Sequence, residues 1–134
     1  MRKIEHIGIA VKDIEASIKT FEVLLNTPCY KTEVVESEFV MTAFFQLGES
    51  KIELLQASNP DSAIAKFLDK KGQGIHHIAF DVEDIEKEIE RLTKEDFVLI
   101  NQSAKEGADN KLIAFLHPKS TDGVLVELCQ ERKV

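Results

Sequence analysis

The sequence has no tryptophan, one tyrosine, three prolines, six glycines and two cysteines among 134 residues. Prolines and glycines this sparse, and nowhere clustered, leave no low-complexity linker or disordered tail to set apart, so composition alone draws no domain boundary. Cys29 and Cys129 lie far apart without CxxC spacing, which argues against a disulfide framework. They read as reduced thiols acting as small buried hydrophobes. No apolar run approaches the roughly 20 residues of a membrane span, and the first residues lack the order of a signal peptide. A cytoplasmic location is therefore expected. The net charge is -7, with no block of five like charges and no Arg/Lys stripe with interleaved aromatics. Nucleic acid and anionic membrane are therefore not expected as partners.

What is present suits one soluble domain. The chain is 43% hydrophobic and 31% charged, and folding at this length buries roughly two-thirds of the unfolded surface.

The chain also repeats itself. His6-Ile7-Gly8-Ile9-Ala10-Val11-Lys12-Asp13-Ile14-Glu15 lies on His77-Ile78-Ala79-Phe80-Asp81-Val82-Glu83-Asp84-Ile85-Glu86 at an offset of 71. The same offset carries Thr42-Ala43-Phe44-Phe45 onto Ile113-Ala114-Phe115-Leu116. Lys51-Ile52-Glu53-Leu54-Leu55-Gln56 matches Leu125-Val126-Glu127-Leu128-Cys129-Gln130, with the extra residues falling in the turn 117–123.

In the first half, period-two alternation predicts a strand through Ile7, Ile9 and Val11, and Asp13 stands where a helix N-cap belongs. Ile14, Ile18, Phe21 and Leu25 then follow at helical spacing, before strands over 30–35, 39–47 and 51–56. The second half predicts a strand over 75–82, a helix over 84–94, and strands over 98–102, 111–117 and 124–129. Asn59-Pro60-Asp61-Ser62 caps a short linking helix over 63–68 that stops at Gly72 and Gly74. The expected fold is α+β, one domain of two βαβββ repeats (3–57 and 74–131) forming a cleft-lining sheet.

Parity singles out four polar residues. His6 shares a strand face with Gly8 and Ala10, and His77 shares one with Ala79 and Asp81, while the bulky apolar residues take the opposite faces. On the last strand of each half, Glu53 and Glu127 point away from Ile52/Leu54 and Val126/Leu128. A lone strand histidine or glutamate is more often merely solvated or hydrogen-bonded. Recurrence of all four at repeat-equivalent positions argues instead for one divalent metal ion on a mixed N/O set, namely His6, Glu53, His77 and Glu127. Co, Zn, Ni, Mn and Fe all suit such donors. Lys111 shares the parity of Ile113 and Phe115 and is a candidate anion contact. His117, at the repeat position of Gln46, is a candidate ligand contact or a strand end. His76 reads as structural.

These segments, with Gly74-Ile75-His76-His77-Ile78-Ala79-Phe80, Gly107-Ala108-Asp109-Asn110-Lys111-Leu112-Ile113-Ala114-Phe115-Leu116-His117-Pro118-Lys119 and Gly123-Val124-Leu125-Val126-Glu127-Leu128-Cys129-Gln130, give the chain its likeness. It resembles the vicinal oxygen chelate superfamily, whose fold is glyoxalase-like, and within it the methylmalonyl-CoA epimerases over nearly the whole length. The resemblance implies metal ligands at His6, His77 and Glu127, with Glu53 where some members carry Gln. It also implies an isomerase that interconverts (R)- and (S)-methylmalonyl-CoA by proton transfer through a metal-stabilised enolate. Glu127 would be one acid–base group, with its repeat mate Glu53 the symmetric candidate for the other; the substrate would be an acyl-CoA thioester and the protein a homodimer. Where some epimerases carry a further Glu as base, this sequence has Thr42. Since glyoxalase I resembles the same His/Glu/His/Glu set, the ligands alone leave that activity open, and a non-catalytic binding module of the same fold is the third alternative.

Overall fold

The computed structural model of the protein describes residues 1–132. The chain forms two compact units, Met1–Glu5 with the chain from His77 onward, and His6–His76.

In the unit His6–His76, strand β1 (Lys3–Ala10, entering this unit at His6) leads to helix α1 (Ile14–Leu25), then to strands β2 (Lys31–Val35), β3 (Val40–Leu47) and β4 (Ser50–Ala57) and to helix α2 (Ala63–Lys71). The strand order is β2-β3-β4-β1, with β1 parallel to β4 and the other neighbours antiparallel. Helix α1 starts where the sequence predicts: Asp13 has extended backbone and its side chain accepts from the Ala16 N–H. Another helix-start donor, Ile14 N–H, bonds to Gln56 Oε1 at 2.7 Å. The helix closes on Asn26, held in the left-handed region at φ 51°, which Asn tolerates better than most residues. Its apolar stripe (Ile14, Ile18, Phe21, Leu25) packs on Val11, Ala43, Phe45 and Leu54. Helix α2 is capped by Ser62 and runs to Lys71 rather than ending near 68, because Gly72 at φ 78° is the first residue that breaks it. Ile64, Phe67 and Leu68 cover Ala10, Val40 and Leu55 on the opposite side of the sheet from α1.

The other unit repeats the plan with β5 (Gly74–Asp81, joining this unit at His77), α3 (Ile85–Lys94), β6 (Lys105–Glu106), β7 (Lys111–Leu116) and β8 (Val126–Glu131). Their order is β5-β8-β7-β6, the same order as β1-β4-β3-β2. Asp84 caps α3 through the Lys87 N–H, and Gln130 Oε1 accepts from Ile85 N–H at 2.8 Å, the counterpart of Gln56 in the first repeat. Ile85, Ile89 and Leu92 pack on Ala114, Leu116 and Leu128.

The second repeat departs from expectation at its edge. No strand forms over 98–102; only Leu99 bridges to Leu116, and strand pairing resumes at Lys105–Glu106. Asn101 is the cause, since its side-chain Oδ1 accepts from Phe115 N–H at 2.7 Å, taking a donor that a paired backbone carbonyl would use. Two strand ends also move. β7 stops at Leu116, with His117 capping the 3-10 turn Pro118–Ser120, and β8 runs from Val126 to Glu131 rather than over 124–129.

Candidate active site

Residues opposite one another in a sheet project from the same face. In the first unit Glu53 lies opposite Gly8 on one side and Phe44 on the other, so His6, Gly8, Phe44 and Glu53 share a face. Ile9, Ala43, Phe45 and Leu54 take the face packed on α1. In the second unit Glu127 lies opposite Ala79 and Phe115, which puts His77, Ala79, Phe115 and Glu127 together, while Leu128, Ala114 and Leu116 face α3. The small residue and the phenylalanine beside each glutamate are repeat-equivalent.

Each unit thus builds one imidazole–carboxylate pair. His6 Nε2 is 3.2 Å from Glu53 Oε1, and His77 Nε2 is 2.9 Å from Glu127 Oε1. All four residues are 5% exposed or less. A carboxylate buried to this degree needs compensation, because transfer out of water costs several kcal/mol when it is unpaired. Within each unit the imidazole supplies it. The spacing suits a second form of compensation, since two ligand atoms held cis at about 2.1 Å from one ion lie about 3.0 Å apart. The donor chemistry of each pair, neutral nitrogen with anionic oxygen, is that of a borderline divalent cation.

Phe115 sets its ring edge-on to His77, with centroids 5.7 Å apart at 87°. Asp81, on the His77 face, is held by Arg2, whose Nε donates to Oδ2 at 2.8 Å. Lys111 opens β7 opposite Glu131, buried and on the face of Phe115 and Glu127. His117 lies outside the strand and is exposed; its Nδ1 accepts from Lys119 N–H at 3.1 Å, so Nε2 carries the ring proton when the imidazole is neutral. His76 packs against Phe67 of α2 as a T-shaped pair, as its structural reading requires. Thr42 is fully buried, with Oγ1 donating to the backbone carbonyl of Glu33 at 2.8 Å. Its hydroxyl serves the β2–β3 edge.

One residue of this face escaped the sequence reading. Cys129 is not merely a buried hydrophobe, for its Sγ donates to Glu127 Oε2 at 3.1 Å. The signal was its place two residues after Glu127 in a strand, which puts both on one face.

The sequence pattern of the Glyoxalase/Bleomycin resistance protein/Dioxygenase superfamily matches residues 5–115. The ethylmalonyl-CoA/methylmalonyl-CoA epimerase of Cereibacter sphaeroides is 38% identical over 130 residues, covering 96% of this chain and 97% of that enzyme. The chain belongs to the methylmalonyl-CoA epimerase family. A Streptomyces coelicolor methylmalonyl-CoA epimerase variant, solved in complex with 2-nitronate-propionyl-CoA, superposes with a TM-score of 0.95 at 32% identity, covering all of this chain and 97% of that one. An uncharacterized Bacillus subtilis protein, YqjC, is 41% identical over 132 residues, or 98% of this chain and 94% of its own length. The family's fold is the duplicated βαβββ plan described above. Among the described residues, no helix is long and apolar enough to cross a membrane.

Proposed function

We infer that this protein is a methylmalonyl-CoA epimerase, exchanging the α-proton of an acyl-CoA thioester between the two faces of a carbon flanked by thioester and carboxylate. The observation that carries this reading is likeness along nearly the whole chain to an enzyme of that activity. His6 and Glu53 from one repeat and His77 and Glu127 from the other are the proposed ligands of one divalent ion, with Co, Zn, Ni and Mn as candidates. Two arguments support the set. Each repeat holds its N and O donors at a cis-ligand separation, and two carboxylates with two neutral imidazoles balance a charge of +2. Such an ion supplies Lewis-acid stabilisation of the negative charge that develops as the proton leaves.

The chain's own residues do the rest. Glu127 and Glu53 are the acid–base pair, which inversion requires on opposite sides of the carbon. Lys111 offers a buried ammonium group to the substrate carboxylate, and burial strengthens its attraction for an anion. His117 offers Nε2–H to the same substrate. Thr42, with its hydroxyl engaged at the strand edge, takes no part in proton transfer. A cytoplasmic homodimer completes the reading.

Incubation with methylmalonyl-CoA in D2O tests it. Deuterium should enter the α-position, and removal of metal by a chelator should abolish uptake until a divalent ion is restored. Lactoylglutathione formation from methylglyoxal and glutathione, without α-exchange, would overturn the epimerase assignment in favour of glyoxalase I. Undiminished exchange in protein shown by elemental analysis to be metal-free would overturn the ligand set.

A further inference from the structure

We propose that Cys129 is a positioning residue for Glu127, and that this thiol distinguishes the two repeat-related carboxylates. The inference rests on the reading of Glu127 as a metal ligand. Cys129 has no solvent exposure and sits among Ala79, Ile113 and Phe115. In such apolar surroundings a hydrogen bond to a carboxylate is electrostatically stronger than in water. Its Sγ meets Glu127 Oε2 at 3.1 Å while His77 Nε2 stands 2.9 Å from Oε1. The two oxygens therefore have different partners, one on each side of the carboxylate, and the plane of the group is set. A carboxylate that can turn is able to offer both oxygens to a cation. With Oε2 on the thiol, Glu127 offers Oε1 alone, on the side of the imidazole.

The position is backed from behind. A Cβ at Gly107 would come within 2.7 Å of Ile113 Cδ1, so the main chain there lies close against Ile113, which packs in the group that contains Cys129. In the first repeat the equivalent residue is Leu55, which packs with Ala10, Val40 and Ile64 and has no proton to donate. Each repeat thus keeps its own imidazole–carboxylate pair, and the second has a thiol donor at the position where the first has Leu55.

The test uses the full chain in a Cys29→Ala background, where Cys129 is the single thiol. In metal-free protein its S–H infrared band should lie at a hydrogen-bonded frequency and shift on Glu127→Gln. Binding isotherms with Zn2+ or Co2+ should show Cys129→Ala weakening affinity by roughly 10- to 100-fold. Cys129→Ser, which keeps a donor, should recover most of the loss, and kcat should fall with the affinity while KM for methylmalonyl-CoA changes little. Equal melting temperatures of metal-free Ala and Ser variants would separate positioning from folding. An unshifted S–H band, wild-type affinity in Cys129→Ala, or equal impairment of both variants would overturn the inference and leave the epimerase reading standing. Failure of the parent protein itself to bind either ion would instead remove the metal site, and this inference with it.

Discussion

Glu53→Gln separates two effects that ordinarily move together. Glu53 is 4% exposed, and its Oε1 faces His6 Nε2 at 3.2 Å, with Gly8 and Phe44 alongside in register. Glutamine keeps the shape and an oxygen for the imidazole but removes the charge. A charge-assisted hydrogen bond contributes about 1.5–3 kcal/mol and a neutral one about 1 kcal/mol, so the substitution weakens this contact by about 1 kcal/mol. Against that stands relief of burying the anion, a penalty of several kcal/mol per ion before pairing. The metal-free variant should therefore melt no more than a few degrees below the parent, or above it. Metal affinity moves the other way. Loss of an anionic ligand should weaken binding at least tenfold, about 1.4 kcal/mol, so the metal-induced rise in melting temperature shrinks. Loss of a general base lowers turnover by about 10²- to 10⁴-fold. Thermal melts with and without metal, set beside α-deuterium exchange, read all three quantities. Full turnover with an unchanged metal response would show that Glu53 is neither ligand nor base.

Gln130→Ala removes the acceptor for Ile85 N–H at the start of α3; loss of a helix-start cap should cost about 1 kcal/mol, read by urea denaturation. Gly107→Ala forces a methyl against Ile113, a residue 6% exposed with little room to swing away; overpacking of this kind costs about 1–3 kcal/mol and should lower the melting temperature. Glu88→Gln gives the pH test. The hydrogen bond from Arg91, with Nη2 to Oε2 at 2.9 Å, holds the Glu88 carboxyl below its ordinary value. A depressed carboxyl stabilises the fold above the unfolded pKa of about 4.3 and loses that contribution as pH falls through the folded value. Parent and variant should differ by a few tenths of a kcal/mol at neutral pH, as for a surface i,i+3 pair, and converge at low pH. A difference that persisted in acid would assign the effect to helix propensity instead.

The duplication, the helix starts and the parity of the site residues were legible because each is local. Asp13 and Asp84 cap within one turn of their own helices, and a strand's alternation puts His6 or Glu127 on its face whatever the partner strand. Period alone also separated His76, which packs on Phe67, from His77, which pairs with Glu127. The broken edge of the second repeat was not legible. Residues 98–102 have the composition of a strand, yet Asn101 meets Phe115 N–H only after β7 is in place. The acceptors for Ile14 N–H and Ile85 N–H were hidden for the same reason, since Gln56 and Gln130 reach helices some forty residues away.

The sequence by itself thus determined that two equivalent halves each carry a histidine and a glutamate on the small-residue face, because side-chain direction follows from backbone period. Only the tertiary structure decided that each histidine meets its glutamate within 3.2 Å and that both pairs are buried. It also decided that Cys129 is a donor to one of the glutamates rather than a filler. Distance and burial depend on strand register and on what packs above a face, and neither is written in any local stretch of chain.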